Sequence, residues 1–208
     1  MSAIRQKKSN KVFIIAEAGV NHNGDLATAK RLIAAAARAG ADAVKFQTFR
    51  AEEMVTRLAP KAGYQLSGKR KESQLDMLKR LELTEAEHIQ LMACARKHKI
   101  IFLSTPFDLE SIDLLKRFGL KIFKVPSGEI TNYPYLKKIG VLKRKVILST
   151  GMSNLGEIKK AVHVLVLSGT LKKNVTLLHC TTAYPAPYKD AHLNAILTLK
   201  KTFGLEVG

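Results

Sequence analysis

Within six residues, Lys124-Val-Pro-Ser127-Gly-Glu129 sets an ammonium, a hydroxyl, a glycine and a carboxylate directly after the apolar stretch 120–123. A cation, a hydroxyl and the N–H groups of a Ser-Gly turn suit an anionic ligand, and a carboxylate suits proton transfer or the holding of a hydroxyl group. The pattern recurs along the chain. Residues 13–16 lead into Glu17 and Asn21-His22-Asn23-Gly24, and 42–44 lead into Lys45-Phe46-Gln47. Residues 101–103 lead into Ser104-Thr105-Pro106-Phe107, 146–148 into Ser149-Thr150-Gly151, and 175–178 into Cys180-Thr181-Thr182. Six apolar runs that turn polar at the same end point to one shared site, which is how α/β barrels and open α/β sheets build an active site.

Lys45, Lys124, Ser127, Ser149 and Thr182, with the N–H groups of Ser127-Gly128 and Thr150-Gly151, form a candidate cradle for a doubly anionic ligand, because dispersed donors match dispersed charge. The competing reading is that Lys45 and Lys124 pair with Glu17 and Glu129 and merely neutralise a barrel mouth. A lysine at an apolar strand end is costly without a purpose, which favours the ligand. Glu17 and Glu129 are the candidates for proton transfer. Either could instead be a lysine's ion-pair partner, a reading that suits Glu129 better than Glu17, which has no basic neighbour in sequence. The six histidines form no HxH or HxxxH pair. His88, His98 and His163 fall in helical stretches and are expected at the surface or an interface, whereas His22 and His179 could reach the mouth.

The elements that must position these groups are apolar runs beginning near 12, 42, 100, 121, 145, 175 and 205, alternating with amphipathic stretches, a pattern of βαβ units and a parallel sheet. Helices are expected over 25–39, ending at Gly40, and after a capping box Thr84-Glu-Ala-Glu87. Asp108 is expected to cap a third helix. Pro134 fits the first position of a fourth, Asn154 caps 155–167, and 193–203 closes at Gly204. The second and third strands lie twice as far apart as the others. The excess is the polar stretch 50–83, with Gly63, Ser67, Gly68 and the charge run 69–72, and is expected to be a lid or binding loop. Seven strand starts are one short of a closed barrel. The first βα turn carries neither G-x-G-x-x-G nor the P-loop lysine, which argues against an open doubly wound sheet.

The 208 residues, 46% of them hydrophobic, can bury a sizeable core and are read as one globular domain. No signal-peptide pattern and no spanning run is present, so a soluble, cytoplasmic protein without membrane contact is expected. Cys94 and Cys180 are too few for a disulfide scaffold, and both are expected to be reduced core residues. A net charge of +18 invites a nucleic-acid partner. The lysines and arginines, however, fall as pairs on expected helix faces and ends without any recognition motif, so a basic surface that steers an anionic substrate is the better reading.

Taken together, residues 15–25, Val44-Lys-Phe-Gln-Thr, Ser104-Thr-Pro-Phe, Lys124-Val-Pro-Ser-Gly-Glu, Leu148-Ser-Thr-Gly-Met and Leu178-His-Cys-Thr-Thr-Ala-Tyr-Pro-Ala-Pro resemble the sialic acid synthase family, which comprises N-acetylneuraminate, legionaminate and pseudaminate synthases. The resemblance implies a parallel (β/α)8 TIM-type barrel, incomplete here at about six βα units plus the start of a seventh strand. It implies condensation of phosphoenolpyruvate with a 2-acetamido hexose, N-acetylmannosamine-like, to a nine-carbon 2-keto acid and phosphate, with a divalent metal, Mn2+ or Mg2+, polarising the aldehyde. By the same resemblance Lys45, Lys124, Ser127, Ser149 and Thr182 hold phosphoenolpyruvate. Many members carry asparagine at the position of Thr182. Glu17 is the acid/base or phosphate-proximal carboxylate, and Gln47, Thr105, Phe107, Glu129 and Tyr184 face the sugar side. The metal histidines, the end of the barrel and an antifreeze-like domain that completes a homodimer partner's site lie past the position of Gly208 in the family. This chain is therefore expected to be a partial synthase domain, inactive alone. The alternatives are a non-catalytic remnant and a synthase of a shorter keto-deoxy sugar acid.

Overall fold

The computed structural model describes residues 12–61 and 72–208. Among these residues seven parallel strands follow one another in chain order: β1 (Ile15–Gly19), β2 (Ala43–Thr48), β3 (Ile101–Pro106), β4 (Ile122–Val125), β5 (Lys145–Ser149), β6 (Val175–Leu178) and β7 (Glu206–Val207). Hydrogen-bonded ladders join β1-β2-β3 and β4-β5-β6-β7, and β3 lies beside β4 across a seam without ladder pairs. Consecutive parallel pairing around one arc is barrel topology, so the fold is α/β and the barrel is partial. Beginning at Ile15, β1 starts three residues later than the apolar run suggests, and Val12, Phe13 and Ile14 are exposed.

Among the described residues eight helices lie between the strands: α1 (Leu26–Arg38), α2 (Ala51–Met54), α3 (Gln74–Leu81), α4 (Glu85–Lys97), α5 (Leu109–Arg117), α6 (Tyr133–Gly140), α7 (Leu155–Leu167) and α8 (Asn194–Phe203). The caps expected at Thr84, Asp108 and Asn154 are found, and Asp25, expected as the first helical residue, is a cap too. The Asp25 carboxylate accepts from the N–H groups of Ala27 and Thr28, and Thr84 with Glu87, and Asn154 with Glu157, close capping boxes. In α6 the Asn132 side chain accepts from the Tyr135 N–H. That makes Asn132 the cap and puts Tyr133 at the first position, so Pro134 stands second rather than first; its missing N–H is harmless in either place because first-turn N–H groups have no intrahelical acceptor.

Strand residues alternate between two faces. Val44, Phe46, Phe123, Val125, Val146, Leu148, Val175 and Leu177 face the helices and form the two main cores, one with α1 and α4 and one with α5 to α8. Lys45, Lys124 and Ser149, at the alternate positions, face the inside of the arc. The long connection after β2 is more than a polar loop. Phe49, Ala51, Leu75, Leu78 and Leu81 bury a small core of their own, against which Val20, Met54, Val55, Met77 and Phe107 pack at the ends of β1 and β3. The stretch with Gly63, Ser67, Gly68 and residues 69–71 lies outside the described residues.

Candidate active site

Parallel register sets Glu17 of β1 directly beside Lys45 of β2, and their side chains form an ion pair of 2.5 Å. Lys45 Nζ also donates to Thr105 Oγ1 on β3, at 3.1 Å. Glu17, the carboxylate without a basic neighbour in sequence, is therefore the one that pairs. Glu129, the expected partner, instead accepts a 2.6 Å hydrogen bond from the Asn132 side chain that caps α6. A bulge follows Glu17, and Gly19 there has φ +51°, a left-handed conformation suited to glycine. A Cβ at Gly19 would lie 3.2 Å from Glu17 Oε1 and 3.7 Å from Gln47 Nε2, so its absence leaves room for the carboxylate and the amide to approach each other.

Lys124 ends β4 with 8% of its surface exposed, and its Nζ donates to the Val125 carbonyl at 3.1 Å. Burial first, then the charge of Lys45, lowers its pKa to about 8, against smaller raising effects of Cys180 and Glu17. The 3-10 turn Ser127–Glu129 follows at once. Its first N–H groups, those of Ser127 and Gly128, precede any acceptor that one short turn can supply. Phe107 and Glu129 line one hollow of about 250 Å³ together with Glu53, Met54 and Asn132.

Ser149 at the end of β5 is buried, and the Cys180 thiol lies 3.2 Å from its hydroxyl. Cys180 is thus a half-buried mouth residue rather than a core one. Next to it, Gly151 has no space for a side chain: a Cβ would lie 2.9 Å from Thr182 Cγ2 and 3.1 Å from the Cys180 carbonyl. This contact seats Thr182 against the β5 turn. The Thr150 N–H donates to the Leu178 carbonyl at 3.0 Å, so it is spent on the backbone and does not join the anion cradle. Tyr184 stands on the loop after β6 with 73% of its surface exposed.

Three expected mouth or surface residues sit elsewhere. Ser104 faces the helices, because Leu103 and Thr105 occupy the inward positions of β3. His88 is fully buried rather than at the surface. Its Nδ1 lies 2.9 Å from the Thr84 carbonyl, which can only accept, so the proton is on Nδ1 and Nε2 accepts from Thr48 Oγ1 at 2.8 Å. Thr48 must then accept from Ser104 Oγ at 2.7 Å. This one-way chain ties α4 to the outer faces of β2 and β3, and burial lowers the His88 pKa. His22 is buried beside Phe46 on the helix side and accepts the Gly24 N–H on Nδ1 at 3.0 Å, so it does not reach the mouth. His179 contacts the Ala191 carbonyl through Nε2 at 2.6 Å.

Among the described residues no group of three or more His, Cys, Asp or Glu side chains could hold a metal ion, and residues 1–11 and 62–71 contain none of these types. The residues present do not by themselves fit a metal centre. No described helix is long and apolar enough to cross a membrane.

The model of the NeuB family matches residues 32–208. The N,N'-diacetyllegionaminic acid synthase of Campylobacter jejuni is 59% identical over 199 residues, covering 95% of this chain and 60% of that enzyme. The enzyme of the same name from Legionella pneumophila is 49% identical over 94% of this chain and 56% of its own length. The crystal structure of an N-acetylneuraminic acid synthetase from Leptospira borgpetersenii, in complex with citrate, superposes with a TM-score of 0.82 at 37% identity, over 96% of this chain and 64% of that one. This chain therefore spans about three fifths of the length of the curated relatives it matches. The inward lysines, the polar strand ends and these matches agree: the chain belongs to the NeuB family, whose members here are synthases of sialic-acid-type sugars.

Proposed function

We propose that this chain carries the phosphoenolpyruvate seat of a synthase that condenses phosphoenolpyruvate with an acetamido sugar to a nine-carbon 2-keto acid and phosphate. The observation that carries the reading is the pair of inward lysines, one neutralised by Glu17 and one, Lys124, buried without an ion-pair partner among the described residues. A buried cation with no carboxylate in contact is costly unless an anion completes it. In this reading Lys124 and Lys45 meet the carboxylate and phosphate, and Ser127, Ser149 and Thr182 supply hydroxyl donors. In the same reading Glu17, the anionic half of an ion pair, accepts a proton from the water that adds at C2 once C3 has attacked the aldehyde. Gln47, Thr105, Phe107, Glu129 and, from the exposed loop after β6, Tyr184 border the sugar side. Holding the two reactants in one mouth removes much of the entropic barrier to carbon–carbon bond formation.

The names of the relatives at 59% and 49% identity favour an N,N'-diacetyllegionaminic acid as the product, and hence a sugar aldehyde with two acetamido groups over one with a single group. On this reading a divalent metal and a homodimer partner complete the site. Residues 1–208 alone are then expected to bind phosphoenolpyruvate and to release no phosphate on addition of sugar and manganese.

Calorimetric titration of phosphoenolpyruvate into residues 1–208 tests the seat. Binding that Lys124→Ala weakens by roughly 1.5–3 kcal/mol supports it, since that is the scale of a charge-assisted hydrogen bond. A folded chain that binds no phosphoenolpyruvate overturns it.

A further inference from the structure

We infer that Lys124 is a covalent trap for 2-keto acids: its amine adds to the C2 carbonyl and, with loss of water, forms an imine. Among the described residues Lys124 is the one lysine buried as a whole, at 8% exposure, and it lies near the end of β4 on the face turned away from the helices. Its single hydrogen bond, to the Val125 carbonyl, uses one N–H and leaves the nitrogen lone pair uncommitted. Lys45 differs in this respect, because its charge is committed to Glu17 at 2.5 Å.

The groups facing the Lys124 amine are Lys45 from β2, Glu17 from β1 and Cys180 from the turn after β6. Burial and the like charge of Lys45 outweigh the other two and bring the amine to about 8. A lysine made nucleophilic by desolvation and a neighbouring cation is a recognised route to Schiff-base chemistry. At pH 8 roughly half of such amines are free, against well under about 1% of ordinary surface lysines. The burial of Lys124, its single hydrogen bond and the pairing of Lys45 with Glu17 set Lys124 apart from the other lysines, and that ratio adds to them.

The step balances without any oxidant or reductant. A bond forms from Nζ to C2 as the C2–O π bond opens, the oxygen takes a proton and the nitrogen loses one. The carbinolamine then expels its hydroxyl as water, leaving C2=N. The Ser149 hydroxyl, at the end of the adjacent strand β5, would donate to the acid's carboxylate during this step. The choice of a 2-keto acid as the carbonyl partner rests on the proposed function, whose product is of that class.

The test is to incubate residues 1–208 with pyruvate at pH 8, reduce with sodium borohydride, and map the modified peptides by mass spectrometry. One reduced pyruvyl group at Lys124 is expected, far in excess of any at exposed lysines such as Lys137 or Lys159 in the same molecules, with labelling rising through about pH 8. It should be lost in Lys124→Arg, whose fold is checked by circular dichroism. The comparison among lysines within the unaltered chain gives the same answer if that variant does not fold. Absence of an adduct at Lys124, or equal labelling of Lys124 and surface lysines, overturns the inference. Phosphoenolpyruvate should protect Lys124. An adduct that it does not protect leaves the trap standing and overturns the phosphoenolpyruvate seat, and calorimetric binding of phosphoenolpyruvate without any adduct does the reverse.

Discussion

Glu17 and Lys45 are 28 positions apart in the chain, yet the parallel register of β1 and β2 makes them neighbours and their side chains close to an ion pair of 2.5 Å. The Glu17 side chain is half exposed but that of Lys45 is 12% exposed, so solvent screens the carboxylate while its loss would leave the ammonium nearly buried and unpaired.

Glu17→Gln should therefore leave the chain folded but destabilise it by about 1–3 kcal/mol, between the cost of losing an exposed and a buried pair. It should tighten phosphoenolpyruvate or inorganic phosphate binding a few-fold by releasing Lys45, and more so at low ionic strength. Calorimetry at two salt concentrations reads both effects. Weaker binding in the variant would show that the carboxylate itself contacts the ligand.

Lys124 gives stability a definite pH dependence. Its folded pKa of about 8 lies below the ordinary 10.5, so the unfolded chain binds more protons between those values. The burial penalty is then present in full below pH 8 and relieved as pH rises toward 10.5, which raises stability over that window by at most a few kcal/mol. The contribution is read as the difference in denaturant midpoint between the unaltered chain and Lys124→Met across pH 7–10. Parallel curves for the two proteins would count against it.

Gly151→Ala should destabilise by about 1–3 kcal/mol, because the added methyl meets Thr182 Cγ2 at 2.9 Å and the Cys180 carbonyl at 3.1 Å. The threonine methyl can be removed and the carbonyl cannot. Thr182→Ser in the same chain should therefore restore part of the loss and not all of it. A double-mutant cycle by chemical denaturation measures the coupling, and strict additivity would show that the two residues do not touch.

His88→Ala should leave the buried Thr48 hydroxyl without its acceptor and cost about 1–3 kcal/mol from that group alone, before any cavity is counted. Burial lowers the His88 pKa below 6.5, so the unfolded chain takes up a proton that the folded one resists. Stability should fall as pH drops below about 6.5, and a pH-stability profile should lose that slope in the variant.

The inward placement of Lys45, Lys124 and Ser149 was legible because each stands among apolar residues at a strand end, where only one face of the alternation can be polar. Ser104 was not. It adjoins Thr105, both side chains are short and hydroxylic, and nothing local decides which of the two points inward; the decision comes from the register with β2. The partner of Glu17 was hidden for the same reason, since sequence proximity favoured the Glu129–Lys124 pairing and parallel register overrode it. His88 read as a surface residue because its partners, Thr48 and Ser104, belong to strands on either side of the long connection after β2. A histidine one turn into a capped helix, with hydroxyls at two strand ends, was the available signal. The length of that connection pointed to a lid, whereas Leu75, Leu78 and Leu81 at helical spacing were the sign of a packed element.

The seam between β3 and β4 gives the two lysines a mechanical relation. Lys45 belongs to one hydrogen-bonded sheet and Lys124 to the other, and among the described residues no ladder pair joins the two. What spans the seam includes the Tyr135 hydroxyl, which donates to the Pro106 carbonyl at 2.7 Å. The spacing of the two ammonium groups is thus set by side-chain packing and single bonds rather than by backbone register. A dianion held by both would act as a rivet between the halves, and its first effect on the protein would be to stiffen that join.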